Sequence, residues 1–198
     1  EIEKKAGFDH MSRQAGFPHN ITIHTENNPL KNPGKFRVAI IGIPEGRNSF
    51  NYGSAKGPDA IREQLYRLSK IPGKTRIIDL GNMKEGTTFN DTIAGLTDIL
   101  TMLIRENVFP VLIGGNSALI TAADKCFTAM KYRYTLTTVD SRIDFSSERK
   151  EPDSFSYLNG IIHRNTIDHF VNIGYQTYLN DGQIINRFLR RKDDLVRV

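Results

Sequence analysis

The feature that most constrains the fold is a strand, a double glycine, a helix and a second strand within residues 109–145. Residues 109–113 form a short apolar run that ends at the double glycine, and residues 117–130 are predicted to form a helix. Residues 134–139 are rich in β-forming side chains and lead directly into a charged cluster. This order predicts a βαβ unit, in which the two strands are parallel.

The remaining segments continue the alternation of strands and helices. Apolar runs predict further strands at residues 36–43, 76–80 and 169–173, because a strand covered on both faces is apolar throughout. Further helices are predicted at residues 90–106, 155–164 and 181–191. Residues 195–198 could begin another strand, and an open sheet ending there would leave an exposed edge. We therefore expect the chain to be part of a longer domain.

One predicted helix begins at Gly57, where proline and an acidic residue suit the first turn. Its apolar residues fall at helical spacing. We predict that they form the buried face of the helix: Ala60, Ile61, Leu65 and Leu68.

Length and composition predict one soluble α/β domain, residues 36–198, preceded by a surface arm, residues 1–35, that shows no sustained period. No apolar run approaches the roughly 20 residues needed to cross a bilayer, and no signal peptide is visible. The single cysteine, Cys126, fits a reducing compartment. We expect a cytoplasmic protein without a membrane partner.

The net charge of +5 raises the question of nucleic-acid binding. The densest basic cluster lies within residues 187–192, and its only aromatic residue is Phe188. Two aspartates follow immediately. Such a run is typical of a solvated helix end, so we expect no nucleic-acid partner.

The charged cluster after residue 139 carries the most chemistry. Asp140, Arg142 and Asp144 alternate along the chain, and residues two apart in an extended segment point the same way. We predict that they project together at the carboxyl end of a buried strand, where ligands bind in open α/β sheets.

Asn116 and Ser117 follow the double glycine at a strand-to-helix turn. Helix capping is the favoured interpretation of both side chains. The exposed amides of that turn could alternatively bind an anion such as a substrate carboxylate. No glycine-rich nucleotide loop and no nucleophile elbow is present, so no catalytic residue is assigned.

Four motifs, in order, resemble those of the ureohydrolase family of arginase, agmatinase and formimidoylglutamase. The Gly-x-Pro stretch is residues 42–44, and the Gly-Pro-x-x-Ile-Arg type of helix start is residues 57–62. Gly114-Gly115 falls at the family's Gly-Gly-Asp-His turn, and residues 140–144 fall at its Asp-Ala-His-x-Asp motif. The resemblance covers residues 36–180, with arginase-like or formimidoylglutamase-like members of a divergent branch most similar.

The resemblance implies a three-layer α/β/α fold with a mainly parallel sheet, here incomplete at the C-terminus. Active members hold two manganese ions, which activate a bridging water that attacks a guanidino or formimino carbon. Asp140 and Asp144 retain ligand carboxylates, whereas Arg142 and Ser117 stand at ligand histidines and Asn116 at an aspartate. The family's later Asp-x-Asp ligands would lie beyond the last residue.

These replacements matter because arginine stays protonated and has no lone pair to donate. We therefore expect no metal cofactor, and we predict that the Arg142 guanidinium replaces the metal charge by pairing with Asp140 and Asp144. The resulting hypothesis is a protein of this family that is not a ureohydrolase. It would bind a small guanidino or formimino ligand or act as a structural or regulatory subunit.

Two alternatives remain open. One is an active hydrolase of the C–N bond of a linear amidine, acting on formimidoylglutamate or a guanidino compound. The other is an unrelated α/β binding protein. The resemblance also implies a homo-oligomer, because family members are commonly trimers or hexamers.

Overall fold

The computed structural model describes residues 16–17, 21–25, 29–69, 73–146, 153–164 and 166–197. The chain divides into two compact units, Glu1–Asn116 and Ser117–Val198. Each unit contains a parallel β-sheet with helices between its strands. The predicted α/β class with parallel strands is confirmed, although the described strands belong to two sheets.

The first unit has a four-stranded parallel sheet in the order β1-β3-β2-β4. Its strands are β1 (Thr22–Ile23), β2 (Val38–Gly42), β3 (Ile77–Asn82) and β4 (Phe109–Ile113). Its helices are α1 (Gly57–Leu65) and α2 (Phe89–Arg105), with 3-10 turns at Pro33–Lys35 and Tyr52–Lys56. The central strand β2 is buried from Ala39 to Gly42, which explains its continuous apolar sequence.

The second unit has a three-stranded parallel sheet in the order β5-β6-β7. Its strands are β5 (Tyr134–Val139), β6 (Ile167–Ile173) and β7 (Asp194–Val196). Its helices are α3 (Ile120–Ala129), α4 (Leu158–Ile161) and α5 (Gly182–Arg190), with 3-10 turns at Ser117–Leu119 and Thr177–Leu179. Phe188 of α5 packs against the rings of Phe145 and Phe170 at centroid distances of 5.7 and 5.1 Å.

The sequence prediction for α1 is wrong about which residues are buried. Ile61 and Leu68 are 51% and 57% exposed, whereas Arg62 is 4% exposed. Arg62 turns inward because its guanidinium pairs with Asp79, a fully buried carboxylate of β3, at 2.9 Å. Ala60 is also exposed, and Leu65 is partly buried.

The predicted surface arm is partly integrated into the first unit. Strand β1 pairs in parallel with β3, with Thr22 opposite Ile78. Phe17 is buried against Tyr66, with ring centroids 6.2 Å apart. The surface placement is therefore wrong for these residues, and much of the rest of the arm lies outside the described residues.

The predicted helix at residues 155–164 is also shorter than expected. Only Leu158–Ile161 is α-helical, because the residues before it form a turn. The Asp153 carboxylate accepts hydrogen bonds from the Phe155 N–H and the Ser156 hydroxyl, both at 2.8 Å. Among the helices of the described segments, none has the length and apolar character to cross a membrane.

Candidate functional site

The charged cluster follows β5 in the second unit, but it is not extended. The Asp140 N–H donates to the Ile173 carbonyl at 3.0 Å, and the Asp140 carboxylate accepts the Arg142 N–H at 2.9 Å. An aspartate that accepts the amide two residues ahead forms a turn. The chain therefore bends at residues 141–142, and the predicted alternation of side chains does not apply.

The predicted ion pairs of Arg142 with Asp140 and Asp144 are wrong. The guanidinium carbon of Arg142 lies 4.1 Å from the centre of the Phe155 ring, a cation–π contact. Arg142 forms no ion pair with a described carboxylate, and its Nε is buried without a hydrogen-bond partner. The turn at Asp140 directs the side chain toward Phe155.

Asp144 is the most perturbed carboxylate of the site. It is 4% exposed, and its carboxylate forms no hydrogen bond or ion pair with a residue that the structure describes. Burial, followed by the negative charge of Asp140, raises the pKa of Asp144 from 3.8 to about 7. Arg142 opposes this rise and Asp153 adds to it. These four charged groups therefore share one electrostatic environment.

Asn172 was not predicted as a site residue. It lies on the central strand β6 and is fully buried. Its Nδ2 donates to Thr138 Oγ1 at 2.8 Å and to the Arg142 carbonyl at 3.3 Å, while its Oδ1 has no partner. The sequence signal was available as a polar residue within an otherwise apolar strand end.

The Asn180 side chain also binds the segment after β5. Its Oδ1 accepts the Ile143 N–H at 2.7 Å, and its Nδ2 donates to the carbonyls of Ser141 and Gln176 at 2.9 and 2.7 Å. These bonds to backbone groups fix the path of residues 141–143. No sequence pattern identified this role.

Ser117 does not act as the predicted helix cap. Its hydroxyl donates to the Ser154 carbonyl at 2.9 Å. Helix α3 begins at Ile120, and its N-cap residue, Leu119, provides no side-chain hydrogen bond. Ser117 instead tethers the segment that precedes Phe155 within the second unit.

Asn116 belongs to the first unit, at the carboxyl end of its sheet. Its Nδ2 donates to the Arg47 carbonyl at 2.8 Å and so connects the turn after β4 with the loop after β2. Arg47 in turn binds the fully buried Glu45 carboxylate through Nε and Nη2, at 2.9 and 2.6 Å. Burial alone would raise the pKa of Glu45, but the hydrogen bonds from Arg47 outweigh it and lower that pKa.

Gly115 allows this packing because a side chain there would collide with backbone. A Cβ at Gly115 would lie 1.8 Å from the Glu45 carbonyl oxygen. We expect Gly115→Ala to lower the free energy of unfolding by about 2 kcal/mol, measured by urea denaturation. In the matched control, Gly160→Ala, the new Cβ meets no atom within 4 Å. That variant should be as stable as the parent or slightly more so. Equal free energies of unfolding for the two variants would contradict the close approach of Gly115 to the Glu45 backbone.

The charged groups after β5 differ in whether they could bind manganese. Manganese favours carboxylate, imidazole and water ligands, a type that Asp140 and Asp144 supply, whereas Arg142, which lies between them in sequence, has no lone pair to donate. Within the described ranges, no group of three or more histidine, cysteine, aspartate or glutamate side chains is placed to hold a metal ion.

Comparison with known proteins identifies the family. Residues 36–192 match the Arginase family. A formimidoylglutamase from Lysinibacillus sphaericus (strain C3-41) is 26% identical over 161 residues, which cover 76% of this chain and 50% of the relative. The chain belongs to the arginase family, and the predicted resemblance to arginase and formimidoylglutamase is confirmed.

Solved structures show the same fold. The formimidoylglutamase from Bacillus subtilis subsp. subtilis str. 168 has a TM-score of 0.81 at 15% identity, covering 99% of this chain and 64% of that one. A Trypanosoma cruzi formiminoglutamase structure with manganese has a TM-score of 0.75 at 17% identity, covering 84% and 62%. The chain thus spans half the length of the Lysinibacillus relative and under two thirds of these structures.

Proposed function

We propose that this arginase-family protein does not assemble a dinuclear manganese centre and is not a ureohydrolase. Its retained carboxylates instead form a small-ligand site after β5. The observation that carries the proposal is the position of Arg142. Its fixed positive charge lies between two aspartates in sequence and stacks on Phe155, 4.1 Å from the ring centre. A permanent cation there repels a dication and supplies no lone pair.

A second candidate function is hydrolysis of formimidoylglutamate. It is favoured by the name of the Lysinibacillus relative and by the two carboxylates, Asp140 and Asp144, that remain at ligand positions. An active enzyme would need metal ligands of another kind or a reaction without metal. A cytoplasmic location and a homo-oligomeric state remain predictions.

An activity assay separates the two candidates. Full-length protein is incubated with manganese and either N-formimino-glutamate or arginine, and formamide or urea release is measured. The Bacillus subtilis enzyme serves as the positive control for the formimino substrate. We expect no product above the rate without protein. Manganese-dependent turnover that is lost in Asp144→Asn would refute the proposal and establish the second candidate.

A further inference from the structure

The first unit contains a cleft at the amino end of its sheet, with a volume of about 260 Å³. Its walls come from the start of β1, the start of β3 and the segment before β2. Because the strands of this sheet are parallel, the cleft lies at the edge opposite to the turn at Asn116, which follows the carboxyl end of β4. The residues that line the cleft include Thr22, Phe36, Lys74, Thr75, Arg76 and Ile77.

The two charged side chains that line the cleft are both cationic, Lys74 and Arg76. Both are exposed, and neither forms an ion pair with a described carboxylate. The Arg37 N–H donates to the Arg76 carbonyl at 2.8 Å, so a third basic residue lies on the adjoining segment. Clustered positive charge without acidic partners attracts anions.

The kinds of donor in the cleft favour a phosphate group. An arginine guanidinium presents two parallel N–H groups to the oxygens of a phosphate or a carboxylate, and a lysine ammonium acts as a point charge. The hydroxyl groups of Thr22 and Thr75 are further donors in the lining. Two cations balance a dianion, which a phosphate monoester is near neutral pH and a carboxylate is not.

The opposite part of the lining is apolar. Ile77 is 7% exposed and belongs to a core cluster with Ile40 and Tyr66, so its position is held by packing. Phe36 is half-buried, and its N–H donates to the Pro33 carbonyl at 3.0 Å. These two side chains provide a contact surface for an apolar group. Pockets for drug-sized ligands measure roughly 300–1,000 Å³, so this cleft suits a smaller molecule.

We propose that this cleft binds a small organic phosphate monoester. Arg76 and Lys74 bind the phosphate, and Phe36 and Ile77 contact the apolar group of the ester. Binding joins residues of β1 and β3 and therefore stabilises the pairing of the short strand β1 with β3. The inference goes beyond the proposed function, because it uses no residue of the segment after β5.

Calorimetric titration of the full-length protein tests the proposal, with phenyl phosphate as the probe at about pH 8, where it is a dianion. Inorganic phosphate lacks the ring, phenol lacks the charge, and benzoate has the ring with a single charge. We expect saturable binding of phenyl phosphate and binding of the other three that is weaker by about tenfold or more.

Variants with one charge fewer locate the binding site. Lys74→Gln and Arg76→Gln should each weaken phenyl phosphate binding by about fivefold or more, because a charge-assisted bond is lost. The matched control is Lys84→Gln, which removes an exposed cation beyond the opposite end of β3 and should bind like the parent. All three side chains are exposed, so the variants should fold, which urea denaturation checks.

The outcomes bear on this inference alone, because manganese content and amidine hydrolysis are measured separately. Absence of saturable phenyl phosphate binding overturns it. Equal affinity for inorganic phosphate or benzoate would show that the apolar wall or the second cation does not contribute, and would also overturn it. Equal weakening by Arg76→Gln and Lys84→Gln would show a nonspecific charge effect and overturn it as well.

Discussion

Asp144→Asn should make the protein more stable at pH 8, by ~2–4 kcal/mol in the free energy of unfolding. The range follows from a pKa that moves from 3.8 to about 7 in the folded state, with the lower figure allowing for solvent screening. The folded state binds the Asp144 carboxyl proton more tightly than the unfolded chain does. Protonated Asp144 therefore makes its full contribution to the free energy of unfolding below about pH 4. This contribution is lost as the pH rises through about 7.

The pH dependence makes the test specific. Urea denaturation of the parent and of Asp144→Asn between pH 4 and pH 8 measures the difference between their free energies of unfolding. This difference should be near zero at pH 4 and should grow with pH. Asp98→Asn, which removes an exposed carboxylate on α2, should follow the parent throughout. A metal-binding protein would behave in the opposite way, since Asp144→Asn would then lose stability when manganese is present.

Arg62→Met should lower the free energy of unfolding by roughly 3–5 kcal/mol, the cost of leaving a buried charge unpaired. Asp79 is fully buried and receives the Arg62 Nε at 2.9 Å and Nη2 at 3.2 Å. After the substitution, the Tyr66 hydroxyl and the Gly81 N–H remain as donors to Asp79 among the described residues, both at 2.8 Å. Urea denaturation at neutral pH measures the loss.

The same substitution at an exposed ion pair provides the control. Arg67 pairs with Glu63 at 2.8 Å, but both side chains are more than half exposed. Arg67→Met should therefore cost less than about 0.5 kcal/mol. Adding Asp79→Asn to Arg62→Met should recover part of the lost stability, because the unpaired charge is removed. Similar losses for Arg62→Met and Arg67→Met would contradict the assignment of the lost free energy of unfolding to the buried Arg62–Asp79 pair.

The strands were the most predictable part of the fold. Strands β4 and β5 have the predicted limits, residues 109–113 and 134–139, because most of their side chains are aromatic, aliphatic or β-branched. Strand β1 has two residues, so only its pairing with β3 defines it. Local patterns thus identified the longer elements, whereas the short edge strand depends on contacts distant in sequence.

The sequence predicted that the charged cluster follows a strand, but it did not predict the contacts of its side chains. Asp140, Arg142 and Asp144 follow β5, but the chain turns at Asp140 and Arg142 stacks on Phe155. The roles of Asn172 and Asn180 arise from side-chain bonds to backbone groups that are 30 to 39 residues away in sequence. Hydrophobic periodicity carries no information about such bonds. For the same reason it did not predict that Arg62 would be buried.

The proposed absence of a manganese centre is tested most directly by elemental analysis of the full-length protein. The protein is purified without chelator, loaded with manganese and separated from free metal before measurement. We predict far less than one manganese per chain, both before and after loading, and no change after Asp144→Asn. Two tightly held manganese ions per chain, lost in Asp144→Asn, would contradict the proposal and show that other ligands complete the centre around Asp140 and Asp144.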